Sequence, residues 1–119
     1  MTTEQYLQSN PIVKEFLDDI YKEMETHYST GLFTPKYWES QKTRILPQLQ
    51  IGSKFIKIVV DGGAWGFIAR NDGVLKGHPY KTGDLLKAAT RSSPAPISRG
   101  NIIDGTAKWN VYGPDYIKR

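Results

Sequence analysis

A chain of 119 residues with a formal net charge of +4 and 39% hydrophobic residues is long enough for one domain with one modest core. No apolar run reaches the roughly 20 residues of a membrane helix, and the absence of cysteine excludes disulfide scaffolds and thiolate zinc sites. Met1-Thr2-Thr3-Glu4 has neither the basic nor the apolar segment that opens a secretory signal, so the expected setting is cytoplasmic, with no membrane contact.

The net charge hides a division. Residues 1–31 carry six acids against two bases, whereas residues 32–119 carry six acids against fourteen bases. Such asymmetry points to one face that seeks an anionic partner, or to nothing beyond colloidal stability.

In chain order, Tyr6 and Leu7 suggest a short helical lead-in. The main helix is expected from Pro11 to Tyr28. Asn10 stands where a side-chain cap is needed, and proline is tolerated at the first helical position because that N–H is unpaired anyway. Ile12, Phe16, Leu17, Ile20, Tyr21, Met24 and Tyr28 form the apolar stripe; Lys14, Glu15, Asp18, Lys22 and Glu25 form the polar face, with Asp18–Lys22 as an i,i+4 pair. Gly31 is the expected stop. Thr34-Pro35 predicts a second, short helix over 35–44 that presents Tyr37, Trp38 and Gln41. Residues 46–51 do not alternate cleanly and stay ambiguous.

The best strand is Lys54 to Val60, with Ile56, Ile58 and Val60 on one face and Phe55, Lys57 and Val59 on the other. Asp61-Gly62-Gly63 supplies a turn into a return strand, Ala64 to Arg70, in which Trp65, Phe67 and Ala69 alternate with Gly66, Ile68 and Arg70. Asn71-Asp72-Gly73 is a further turn signal. Val74-Leu75-Lys76 and Leu85-Leu86-Lys87 extend the meander, unless the latter is a short helix capped by Asp84. Residues 91–100 are rich in proline and serine and are expected to form an ordered loop or a mobile arm. A last strand is expected over 107–112, stopped by Gly113-Pro114. The expectation is therefore a single α+β domain over 1–119. Residues 1–44 are mainly helical, packed on a small, mainly antiparallel sheet over 45–119 that carries the basic Pro/Ser loop.

Catalytic signatures are missing. His27 and His78 share no metal-binding spacing, and a lone histidine is more often a surface or capping group. Asp18, Asp19, Glu23 and Glu25 have the spacing of a solvated helix face. Gly62-Gly63 with Gly66 lacks the strand-to-helix context of a dinucleotide site. Lys81-Thr82-Gly83-Asp84 resembles a phosphate loop only faintly, and no GxSxG elbow occurs. Neither a catalytic residue nor a metal or other cofactor is assigned.

The segment from Lys54 to Tyr116 carries an ordered set of signs. These are Ala64-Trp65-Gly66-Phe67, Thr82-Gly83-Asp84 followed by Lys87-Ala88-Ala89, Pro94-Ala95-Pro96, Arg99-Gly100-Asn101 and Tyr112-Gly113-Pro114-Asp115-Tyr116. In this half the chain resembles a group of small uncharacterised proteins of tailed bacteriophages, cyanophages included. It departs from them at Thr90-Arg91-Ser92-Ser93, where the group has an aromatic residue and a lysine, and at Gly77-His78-Pro79-Tyr80-Lys81, which reads as an insertion. The resemblance implies a viral origin and a host-cytoplasm setting, and it implies no activity.

Three function classes follow. The first is nucleic-acid binding through Lys54, Lys57, Arg70, Lys87, Arg91 and Arg99, with Trp65, Phe67, Trp109 or Tyr112 available for stacking if they are not core. The second is a protein-interaction module that docks on a host or viral enzyme through the acidic helix face or Tyr37 and Trp38. The third is a small-ligand pocket around His78, Tyr80, Lys81 and Asp84. Nucleic-acid contact through the basic residues is the leading expectation.

Overall fold

A computed structural model describes residues 3–29, 39, 46–60, 62–110 and 113–114. The helical part begins with α1, Thr3–Ser9, and continues as α2, Pro11–Ser29. Asn10 joins them, and its backbone carbonyl accepts from the N–H groups of Val13 and Lys14, which starts α2. Its side chain does not cap α2 as expected; Nδ2 donates backwards to the Tyr6 carbonyl at 2.9 Å and so closes α1. Val13, Phe16, Leu17, Ile20 and Met24 are buried, a clean 3–4 repeat. Ile12, expected in that stripe, is 42% exposed because it lies about 80° from Ile20 around the helix. Lys14 pairs with Asp18 at 3.3 Å, rather than Asp18 with Lys22. The helix expected over 35–44 lies outside the described residues except for Glu39, which is helical; Gly31 lies outside them too.

Nine strands follow among the described residues. They are β1 Gln48–Ile51, β2 Phe55–Val60, β3 Gly63–Ala69, β4 Gly73–Leu75, β5 His78–Tyr80, β6 Asp84–Ala88, β7 Pro94–Asn101, β8 Trp109–Asn110 and β9 Gly113–Pro114. Five form an antiparallel sheet in the order β1-β2-β3-β6-β7, while β4-β5 and β8-β9 are separate two-stranded ribbons. The fold is α+β, as expected. The ambiguous stretch 46–51 pairs as an edge strand, Gln50 opposite Lys57. Residues 84–88 are strand, not helix.

Period two decides the faces of the sheet. Leu49, Ile56, Ile58, Ile68 and Leu85 face the helices and share one core with Tyr6, Val13, Phe16 and Ile20. Each such side chain contributes roughly 1.5–3 kcal/mol by burial. Phe55, Lys57 and Phe67 face away from the helices. The simple alternation expected of β3 fails at one point. The register slips between Ile58 and Val59, which leaves Trp65 without a Cα partner. This bulge turns Trp65 into the helix-side core, away from Phe67. There it packs edge-on with Phe16 and Trp109, at centroid distances of 6.0 and 5.9 Å.

Two expectations need correction. Residues 91–100 are not a loop or arm: from Pro94 onwards they form β7, the edge partner of β6. Eight residues of β7 face five of β6 through two register shifts, and an edge strand with bulges tolerates proline and the positive φ of Gly100 (98°). The segment 77–81 is likewise no mere lengthened turn. Lys76 and Gly77 have φ of 49° and 81°, the pattern of a two-residue type I′ loop, and they fold β5 back on β4. Of the last expected strand, β8 is seen, while Val111 and Tyr112 lie outside the described residues.

Candidate nucleic-acid interface

The six basic residues singled out by sequence separate into groups. Arg70 follows β3. Its N–H donates to the Lys54 carbonyl at 2.9 Å, its Nη1 to the Gly52 carbonyl at 2.5 Å, and its guanidinium lies 5.5 Å from the Tyr6 ring centre. It thereby braces the β1–β2 turn against α1. Lys87 points to the helix side of β6, where Nζ donates to the Pro114 carbonyl at 3.1 Å. Arg99 folds onto its own strand, donating through Nη1 to the Ile97 carbonyl, and burial lowers its pKa. These three head groups are committed to the fold.

Lys54, Lys57 and Arg91 are placed differently. Lys54 and Lys57 line an open groove of about 490 Å³ on the helix-free face, together with Gln50, Phe55 and Phe67. Neither ammonium has a hydrogen bond or ion pair among the described residues. Arg91 gives one N–H to the Gly62 carbonyl at 3.2 Å, which leaves most of its donors available. Its neighbour Ser92 forms part of the groove wall, but Arg91 itself does not line it and reaches instead to the β2–β3 turn. The half-buried Phe55 ring is held by Phe67 and Tyr80, at centroid distances of 6.4 and 5.1 Å. Phe67 is 4% and Trp65 5% exposed. Both are buried and Trp109 is half-buried; Phe55 and Phe67 both line the groove, and Phe55 is the more exposed of the two.

The turn that faintly resembles a phosphate loop is saturated by its own neighbours. Asp84 is buried: its Oδ2 accepts the Lys81 N–H and its Oδ1 accepts from Asn101 Nδ2, both at 2.9 Å. Asn101 Nδ2 also reaches the Thr82 carbonyl, and Asn101 Oδ1 accepts the Ile103 N–H at 2.7 Å. Gly83 sits at φ 88°, and a Cβ there would come within 2.7 Å of Ile103, so both backbone and space favour glycine. Asp72 receives both the N–H and the hydroxyl of Thr82, and the first of these chiefly holds its carboxyl below the usual range. His78 is exposed on β5, whereas Tyr80 and Asp84 are buried. Among the described residues no group of His, Asp and Glu is arranged to hold a metal ion.

The remaining sequence signs also meet in space. Pro114 packs on Gly66, where a Cβ would lie 2.8 Å from the proline ring, and Gly113 approaches the Trp65 carbonyl. Segments far apart in the chain are therefore packing partners. Compared with known protein families, curated proteins and solved structures, the chain matches none. No helix among the described residues is long and apolar enough to cross a membrane.

Proposed function

We propose that the chain is a non-enzymatic binding module that takes single-stranded nucleic acid along the helix-free face of its sheet. The observation that carries this reading is the groove beside Phe55, in which the ammonium groups of Lys54 and Lys57 are uncommitted. An open groove with free cations suits a flexible phosphate backbone, and a ring at its border gives a base a surface to stack on. The resemblance to phage proteins supports a viral origin and a host-cytoplasm setting.

Fluorescence anisotropy with short labelled single strands and duplexes of DNA and RNA tests it. Two or three phosphate contacts give a salt slope of about −1.4 to −2.1 for single strands, or roughly a seven- to twentyfold loss between ~50 and ~200 mM salt. Lys54→Gln with Lys57→Gln is expected to abolish most of the affinity, while Arg99→Ala leaves it unchanged. No binding to any oligonucleotide at low salt would sink the reading.

A second reading has its own observation. Ile12 and Ile103 are 42% and 55% exposed. They border a hollow of about 450 Å³ rimmed by Glu15, Asp19 and Asp104. That surface favours a protein partner with a basic, apolar segment, such as a host or viral enzyme. Binding that persists in excess oligonucleotide would favour it.

A further inference from the structure

On the helix side of the sheet, the elbow between α1 and α2 leans over the end of β3 and borders a half-open cavity of about 260 Å³. Tyr6, Val13, Ile68 and Ile102 contribute apolar walls, and Arg70 and Thr82 contribute polar atoms. Arg70 is the one charged residue in that lining. No carboxylate among the described residues pairs with it, and its hold on the Gly52 carbonyl and the Tyr6 ring keeps the guanidinium in place before any ligand arrives. Asn10 and the first turn of the 19-residue α2, Pro11 to Val13, form another part of the wall, so the positive end of that helix adds to the same field. Burial raises the pKa of the Tyr6 phenol, which keeps it protonated at neutral pH.

We propose that this cavity binds a small apolar carboxylate, its ring or chain between Val13, Ile68 and Ile102 and its carboxylate on Arg70. The volume lies just below the ~300–1,000 Å³ of sites for drug-sized ligands, so the ligand is fragment-sized. A guanidinium presents parallel N–H groups to a planar carboxylate, whereas a phosphate dianion would find a single cation in the lining. This site is independent of the nucleic-acid reading, since it shares no residue with the groove.

The test is a ¹⁵N–¹H NMR titration of the full chain with benzoate, cyclohexanecarboxylate, benzamide and inorganic phosphate. Millimolar binding of the two carboxylates is expected, with shifts at the amides of Ile68, Arg70 and Ile102. Benzamide should bind at least about tenfold more weakly, since it lacks the charge-assisted pair. Arg70→Gln should remove the carboxylate preference. Because Arg70 also braces the fold, Ile103→Trp at the exposed mouth is the second variant: it should block entry with the dispersion of the spectrum intact. Equal affinity for benzoate and benzamide, tighter binding of phosphate than of benzoate, or no shift at those three amides would overturn the proposal.

Discussion

The Thr82–Asp84/Asn101 junction and the Lys54–Phe55–Lys57 groove are built on opposite terms. At the junction every polar atom is matched by another: Asp84 by Lys81 and Asn101, Thr82 by Asp72, Asn101 by Thr82, Asp84 and Ile103. In the groove two ammonium groups have no such match among the described residues. A buried polar group without a partner costs about 1–3 kcal/mol, so the junction has to be closed; an exposed lysine costs nothing by staying free. The most memorable sequence therefore lies where side chains are used up in holding strands together. The uncommitted cations lie in an unremarkable Lys-Phe-Ile-Lys.

Four substitutions or titrations would break or sharpen this contrast. The largest effect is expected from Gly100→Ala. Its φ is 98°, and a Cβ would stand 2.1 Å from the Thr106 carbonyl oxygen. Urea unfolding should show a loss of about 3 kcal/mol or more, from strain and backbone displacement together. Next comes Asn101→Ala, which strips a donor from buried Asp84 and from the Thr82 carbonyl and should cost about 2 kcal/mol in the same assay. Wild-type stability there would show that the junction is ornamental.

The third concerns acid. Asp72 and Asp104 both have folded pKa values below the ordinary one, Asp72 mainly through the Thr82 N–H and Asp104 mainly through the Thr106 hydroxyl. Their contribution is fully present above the unfolded value of about 3.9 and is lost as pH falls through the lower folded values. Asp72→Asn should therefore flatten the acid limb of a stability–pH profile, while the groove lysines leave that limb untouched. The smallest effect on stability belongs to Lys54→Gln with Lys57→Gln, expected within about 0.5 kcal/mol of wild type by thermal unfolding. A large loss would mean that these lysines are structural after all.

Sequence made α2 plain, because Phe16, Leu17, Ile20 and Met24 repeat at helical spacing whatever surrounds them, although Val13, and not the expected Ile12, completes the buried stripe. The strands β2 and β3 were legible for the same reason at period two, up to the bulge that reorients Trp65, which depends on a pairing partner. The β4–β5 hairpin was not, since its turn places a lysine, Lys76, at positive φ in place of the usual asparagine or aspartate. For β7 the prolines argued for a loop, and the ladder to β6 overruled them at a sheet edge. The basic residues could be counted in the sequence, but their commitments could not. Whether an arginine meets a carbonyl 18 or 29 residues away, as Arg70 and Arg91 do, is decided by tertiary packing.

The strand order has a consequence for how the chain is made. In β1-β2-β3-β6-β7 each strand joins the one laid down before it, and the only excursion, β4-β5, is a local hairpin that closes on itself. Contacts of short sequence separation dominate the sheet, so little loop entropy stands between the chain and its native pairing. During synthesis the sheet can grow strand by strand onto helices already finished, and only the part of its face around Trp65 and Gly66 waits for Trp109 and Pro114 to emerge.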